Sequence, residues 1–204
     1  MKILLASNGK FLIEEGYKLL GIPRNKIRIG YITTASKGAS SDEYIKLHQK
    51  MMEDNGYSFE EIDVENRSEA ELRRFFGDKN IVHMEGGNTY YLLQAIKKSG
   101  FDEILRDLLN KGIIYVGTSA GSSIAGPTIE LSSHIPEGTP DEELSALNLV
   151  PFLIKCHYTD DKEIEYKTKI SAVKYPVKFL RDGQGLLVED GKCTFLGKGE
   201  KVEI

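Results

Sequence analysis

Cysteine is scarce in this chain: among 204 residues only Cys156 and Cys193 carry thiols, and they form no C-x-x-C pair. A disulfide framework is thereby excluded as the source of stability, and both read as reduced, packed small side chains of a cytoplasmic protein. Long apolar runs are missing too. The opening stretch Met1 to Ala6 is too short for the core of an export signal, and nowhere does the chain approach the ~20 apolar residues that span a bilayer, so neither export nor a membrane partner is expected. Charge of one sign is not concentrated. The 27 Lys and Arg face 31 Asp and Glu, a net charge of −4 with no basic stripe, which argues against nucleic acid as a partner. Repeats, low-complexity tracts and linkers are absent, and a chain of this length buries a sufficient core unaided, so residues 1–204 read as one α/β domain.

What is present is an alternation. Apolar or β-branched runs recur at Ile3 to Ala6, Ile27 to Thr33, Phe59 to Val64, Asn80 to Met84 and Ile113 to Gly117, separated by segments with helical spacing. Ser40 with Glu43 and Ser68 with Glu71 have the S-x-x-E spacing of capping boxes, which start helices by satisfying orphan backbone donors reciprocally. Behind the first, Tyr44, Leu47 and Met51 form an expected apolar stripe; behind the second, Leu72, Phe75 and Phe76 do so. Strands joined by such helices run parallel with helices on both faces, which predicts an open, doubly wound sheet. Near the end, Asp190-Gly191 between apolar runs predicts a C-terminal antiparallel hairpin, with Lys201 to Ile204 as a last extended run.

Ligands of open parallel sheets collect at the carboxyl ends of the strands, so the turns that follow strands are the place to look for chemistry. Gly117-Thr118-Ser119-Ala120-Gly121 follows a strand, precedes a short helical segment and reads G-x-S-x-G. Small neighbours let the backbone turn sharply and present the serine hydroxyl above the sheet edge. A phosphate role fits worse: Thr118 stands where a P-loop has lysine, and no G-x-G-x-x-G follows a strand, so no nucleotide cofactor is expected. Glu85-Gly86-Gly87-Asn88-Thr89 follows the preceding strand, and with the two turns side by side the N–H groups of Gly87 and Ala120 would form an oxyanion hole.

A serine nucleophile needs a base. His48 reads as solvated on its helix and His83 as a residue of the sheet. His157 ends the run Phe152 to Cys156 at a carboxyl edge and is the best base, with His134 as a second candidate. No two histidines fall at metal-ligand spacing, so no metal is expected.

Taken jointly, Gly86-Gly87-Asn88-Thr89 with Leu92-Leu93, the elbow at Ser119 with Ala125-Gly126-Pro127-Thr128-Ile129, Leu147-Asn148-Leu149 and His157-Tyr158-Thr159 resemble the peptidase E family of serine peptidases, S51, over nearly the whole chain. The resemblance implies a class I glutamine-amidotransferase-like fold, Ser119 as nucleophile, His157 as general base and then acid, and Gly87 with Ala120 as oxyanion donors. The dipeptidases of that family carry an Asp where this chain reads Ser133-His134-Ile135-Pro136, which leaves Glu130, Glu137, Asp141 or His134 as candidates for the third catalytic member. They also carry an Arg in the helix after the catalytic His; Lys162 to Lys169 contains none, and strict selection of an N-terminal Asp by a bidentate fork is not implied.

The expectation is a cytoplasmic serine peptidase, monomer or homodimer, that hydrolyses short peptides without a cofactor. Two readings stand beside it. One is a serine esterase of the α/β-hydrolase type, which shares G-x-S-x-G. The other is a catalytically weakened binding module on the same fold, suggested by His134 in place of the acid.

Overall fold

The computed structural model describes residues 1–204. Nine strands and seven α-helices follow one another: β1 (Lys2–Ala6), α1 (Gly9–Glu14), β2 (Arg28–Ile32), α2 (Glu43–Asp54), β3 (Ser58–Ile62), α3 (Glu69–Phe76), β4 (Ile81–Met84), α4 (Thr89–Ser99), α5 (Phe101–Asn110), β5 (Ile114–Thr118), α6 (Ala120–Ser123), β6 (Leu153–Lys155), α7 (Glu163–Ile170), β7 (Val177–Phe179), β8 (Gln184–Glu189) and β9 (Lys192–Gly197). The main sheet has the order β3-β2-β4-β5-β1-β8-β9. Its first five strands run parallel, and β8 and β9 complete it antiparallel. This is the mostly parallel α/β sheet with a C-terminal hairpin that the alternation predicts.

The central strands are buried along nearly their full length because helices cover both faces. On one face Leu4, Tyr31, Ile81 and Val116 pack against Leu12 and Ile13 of α1 and Ile45 and Met52 of α2. On the other, Leu5, Ile32, Val82 and Tyr115 pack against Leu72 and Phe76 of α3, Leu92 of α4 and Leu105 of α5. The hairpin turns at Asp190-Gly191, both with positive φ (50° and 77°), the conformation a two-residue turn between twisted strands requires.

Four local expectations are corrected. α2 starts at Glu43 behind Asp42, not at a Ser40 capping box; Ser41 Oγ accepts the Glu43 N–H instead. Its buried face is Ile45, His48 and Met52, with Leu47 turned outward, because a polar partner for His48 waits inside the fold. The run from Phe152 to Cys156 is not part of the main sheet: β6 pairs only with β7, in parallel, as a separate two-stranded unit. Lys201 to Ile204 makes a single bridge, Val202 to Phe179, rather than a strand. Cys156 is buried, whereas Cys193 is exposed on β9, which forms the edge of the sheet. No helix is long and apolar enough to cross a membrane.

Candidate active site

The carboxyl ends of β1, β5 and β4 lie side by side, with Ala6 in register with Thr118 and Met84 with Gly117. Ser7, Ser119 and Glu85 are therefore neighbours at one sheet edge. Beyond β5 the chain reverses sharply at Ser119, which adopts φ 49° and ψ −106°, a conformation that L-residues rarely occupy and that surrounding contacts must enforce. Two glycines permit the contacts. A Cβ at Gly117 would lie 2.5 Å from the Gly121 carbonyl oxygen, and one at Gly121 would lie 2.1 Å from that of Met84. Ser122 locks the turn from below: its Oγ accepts the Ala6 N–H at 3.0 Å and lies 2.8 Å from the carbonyls of both Ala6 and Gly117.

Ser119 Oγ lies 2.9 Å from His157 Nε2, and His157 Nδ1 lies 2.7 Å from Asp182 Oδ1. An Nδ1–H that donates to the carboxylate leaves Nε2 as the acceptor for the serine hydroxyl. The residue beside Nδ1 is thus Asp182, not Glu130, Glu137, Asp141 or His134. Glu130 accepts from Thr128 Oγ1 instead, and Glu137 and Asp141 are exposed on the following loop. His134 lies on the wall of the cavity beside Ser119.

Asp182 sits in the turn after β7 and was missed because its role depends on a pairing of distant segments. A signal was available: Val177 to Leu180 is a second short apolar run followed by a polar turn, like the run that precedes His157. The parallel β6–β7 pair places Lys155 beside Phe179, so His157 and Asp182, two and three residues further on, emerge at the same end. Tyr158, Phe179 and Tyr166 of α7 pack around a small aromatic cluster that fixes this unit. Buried Ser7 ties it to β1. Its Oγ accepts the N–H of His157 at 2.9 Å and lies 2.9 Å from Asp182 Oδ1, to which it donates, while His157 itself holds φ 57°.

Two backbone N–H groups of these turns are left without a protein acceptor. Gly86 rests against Ser119, since a Cβ there would be 3.0 Å from Ser119 Cβ. The Gly86 N–H donates to Glu85 and that of Asn88 to Ala35, whereas the Gly87 N–H between them donates to no protein acceptor. Gly87 requires glycine, with φ 136° and the Ala35 carbonyl 2.4 Å from where a Cβ would stand. The Ser119 N–H is taken by Ala6 O, while the Ala120 N–H is left without a protein acceptor.

A small cavity of about 80 Å³ opens beside Ser119 and His157, walled in part by Thr89, Leu131, Ser132, His134 and Lys155. Burial, and then the charge of Lys155, lower the titration of His134. Lys155 donates through Nζ to Leu131 O at 3.0 Å. Cys156 is no rival nucleophile, since burial pushes its thiol up to about 12 and so keeps it protonated. No group of three or more His, Cys, Asp or Glu side chains is placed to hold a metal ion.

The family model for peptidase family S51 matches residues 3–196. The chain belongs to peptidase family S51. Among S51-like relatives, an uncharacterized peptidase of Pasteurella multocida is 27% identical over 195 residues, which cover 93% of this chain and 94% of that one. The peptidase E of Nostoc sp. is 32% identical over 168 residues, or 78% of this chain and 66% of that one. The crystal structure of a Listeria monocytogenes EGD-e protein superposes with a TM-score of 0.84 at 22% identity, over 97% of this chain and 98% of that one, and so shares the fold. As an S51 member the chain is a peptidase, and the elbow, the glycine turn and the His157 segment all fall inside the matched residues.

Proposed function

We propose that the chain is a serine peptidase that cleaves short peptides through an acyl-enzyme on Ser119. The observation that carries the reading is the continuous hydrogen-bonded relay from Ser119 Oγ through His157 to Asp182, at 2.9 and 2.7 Å. Ser119 Oγ attacks the scissile carbonyl carbon as His157 Nε2 takes its proton, and the oxyanion rests on the N–H groups of Gly87 and Ala120. The C–N bond then breaks, with His157 protonating the leaving amine. Water, deprotonated by His157, attacks the acyl carbon; the acyl C–O bond breaks, His157 returns the proton to Ser119 Oγ, and the carboxylic acid product leaves. Asp182 holds the imidazole in the tautomer this sequence of transfers needs.

The cavity supports a substrate of limited size. Its volume of about 80 Å³ suits a small side chain, and its one Lys or Arg is Lys155, a point charge that donates to Leu131 O and offers no bidentate fork. That favours small side chains in short peptides over strict selection of aspartate. The binding-module reading drew on a missing third member; the carboxylate of Asp182 lies 2.7 Å from His157 Nδ1, which supports the peptidase reading over it. The esterase reading shares the elbow, but the chain has no HGGG-type oxyanion turn of that fold.

Intact-protein mass spectrometry after treatment with a fluorophosphonate tests the assignment. One adduct is expected on the wild type and none on Ser119→Ala, alongside hydrolysis of dipeptide p-nitroanilides by the wild type alone. Equal labelling of the two proteins would sink it.

A further inference from the structure

Beneath the two turns lies a carboxylate that the relay does not use. Glu85, 1% exposed, receives four hydrogen bonds. Oε1 accepts from the Gly86 N–H at 2.6 Å and from Thr118 Oγ1 at 2.5 Å; Oε2 accepts from Tyr31 Oη at 2.5 Å and from His48 Nδ1 at 2.9 Å. Burial by itself would raise this carboxyl, but the hydrogen bonds from His48 and from the Thr118 hydroxyl outweigh it and hold the group down at about 2. It is therefore an anion inside the fold. An apolar side chain would fill the same space at lower cost in desolvation, so a buried charge of this kind calls for a reason beyond stability.

The reason lies in what each oxygen holds. Oε2 is anchored to rigid elements, Tyr31 on β2 and His48 on α2. Oε1 grips the two turns: Thr118 is the residue before the nucleophile, and Gly86 is the residue before Gly87. Tyr44 Oη donates to Gly86 O at 2.8 Å and fixes the other side of that residue. With the Gly86 N–H engaged, the next N–H along, that of Gly87, is the one left free.

We propose that Glu85 is a positioning residue for the reaction: it clips the nucleophile elbow to the glycine turn and so sets the spacing of the Ala120 and Gly87 N–H groups that receive the developing charge. This rests on the reading of Ser119 as nucleophile. A whole oxyanion donor is worth on the order of 10²–10³ in kcat, so loosening one is expected to cost roughly 10- to 100-fold. Glu85→Ala removes both arms of the clip, whereas Glu85→Gln would keep them, since its amide can turn NH₂ toward Tyr31 Oη and His48 Nδ1 and leave its oxygen on Gly86 and Thr118. Thr118→Val removes one arm of the clip, while Thr118→Ser retains it.

The experiment measures p-nitrophenyl acetate hydrolysis per fluorophosphonate-labelled site, at a temperature where each variant is folded by circular dichroism. Both Glu85→Ala and Thr118→Val should lose roughly 10- to 100-fold in kcat per site, with KM within about threefold and the midpoint of the pH–rate profile unmoved. Thr118→Ser should recover most of the loss. A purely structural role would lower the number of labelled sites and leave turnover per site alone; turnover per site within twofold of wild type in either variant overturns the proposal. If Glu85→Ala does not fold, Thr118→Val decides. A wild type that is not labelled at Ser119 overturns the nucleophile assignment and this proposal together, whereas a labelled wild type with unaltered variants overturns only the positioning role.

Discussion

Asp182 Oδ1 accepts from both His157 Nδ1 and Ser7 Oγ, which makes its direction, more than its charge, the quantity the site controls. Its side chain is 60% exposed and that of His157 50%, so solvent screens the attraction between carboxylate and imidazolium. Loss of the carboxylate from a buried triad costs on the order of 10⁴ in kcat, chiefly through the wrong tautomer. For Asp182→Asn the expected fall in kcat on a dipeptide p-nitroanilide is roughly 10²- to 10⁴-fold, with KM within about twofold and the fluorophosphonate adduct still formed, more slowly. A loss under tenfold would mean that something else orients His157. At this scale the sequence was readable where chemistry and local geometry coincide. Ser119 announces itself through the small residues its own turn demands, and His157 through its place after an apolar run. Asp182 does not, because its partner is 25 residues away and the strand that brings it there has three residues. His48 was misread for a related reason: helical spacing fits two overlapping stripes, and only Glu85, 37 residues on, decides between them.

Between β5 and α6 the elbow is built backbone against backbone, and that is where the element tolerates least. A methyl group on Gly121 would meet the Met84 carbonyl oxygen at 2.1 Å, and no side-chain rotamer can relieve a contact between main-chain atoms. The β5–α6 turn would have to lift from β4. Overpacking of this kind costs about 1–3 kcal/mol, which for a chain of this size lowers the melting temperature by roughly 2–12 °C. Gly121→Ala is expected at the upper end of that range, together with loss of Ser119 labelling in the fraction that remains folded. Scanning calorimetry and adduct counting check the two parts separately, and normal labelling at an unchanged melting temperature would refute the steric account. Elements as such were legible wherever period and punctuation agreed: the five parallel strands, the Ser68 capping box realised in α3, and the hairpin at Asp190-Gly191. β6 was found as an extended run but assigned to the wrong sheet. An apolar three-residue strand carries no mark of its neighbour, and pairing with β7 rather than the main sheet is decided by tertiary packing around Tyr158 and Tyr166.

Across the whole molecule, two apolar layers enclose one buried polar chain that runs from Tyr17 Oη to His83 Nδ1 at 2.8 Å, from His83 Nε2 to Thr118 Oγ1 at 3.3 Å, and on to Glu85. His83 is fully buried and lowered from 6.5 to about 4 by desolvation, against the opposing pull of Glu85 and with the added push of His48. It accepts from Tyr17 and donates to Thr118 as a neutral ring. Both titrating members of the chain link stability to pH in the same direction. A histidine whose folded value lies below its unfolded one stabilises fully above about 6.5, and that contribution is lost as pH falls through about 4. Glu85, lowered from 4.5 to about 2, stabilises fully above about 4.5 and loses its contribution as pH falls through about 2. In each window the unfolded chain binds the extra proton, so stability declines with acid. Each contribution is on the order of 3 kcal/mol. The groups that face Glu85 from the packed elements are Tyr31, His48, Thr118 and His83. Surface carboxylates titrate in parallel, so the informative quantity is a difference between proteins. The melting-temperature gap between wild type and His83→Gln is expected to narrow from pH 6.5 to 4, and that between wild type and Glu85→Gln to narrow from pH 4.5 to 2. Gaps that stay constant across those windows would show that the buried chain does not carry its charge as the hydrogen bonds imply, and that the neutral His83 and ionised Glu85 are not the states that hold the elbow in place.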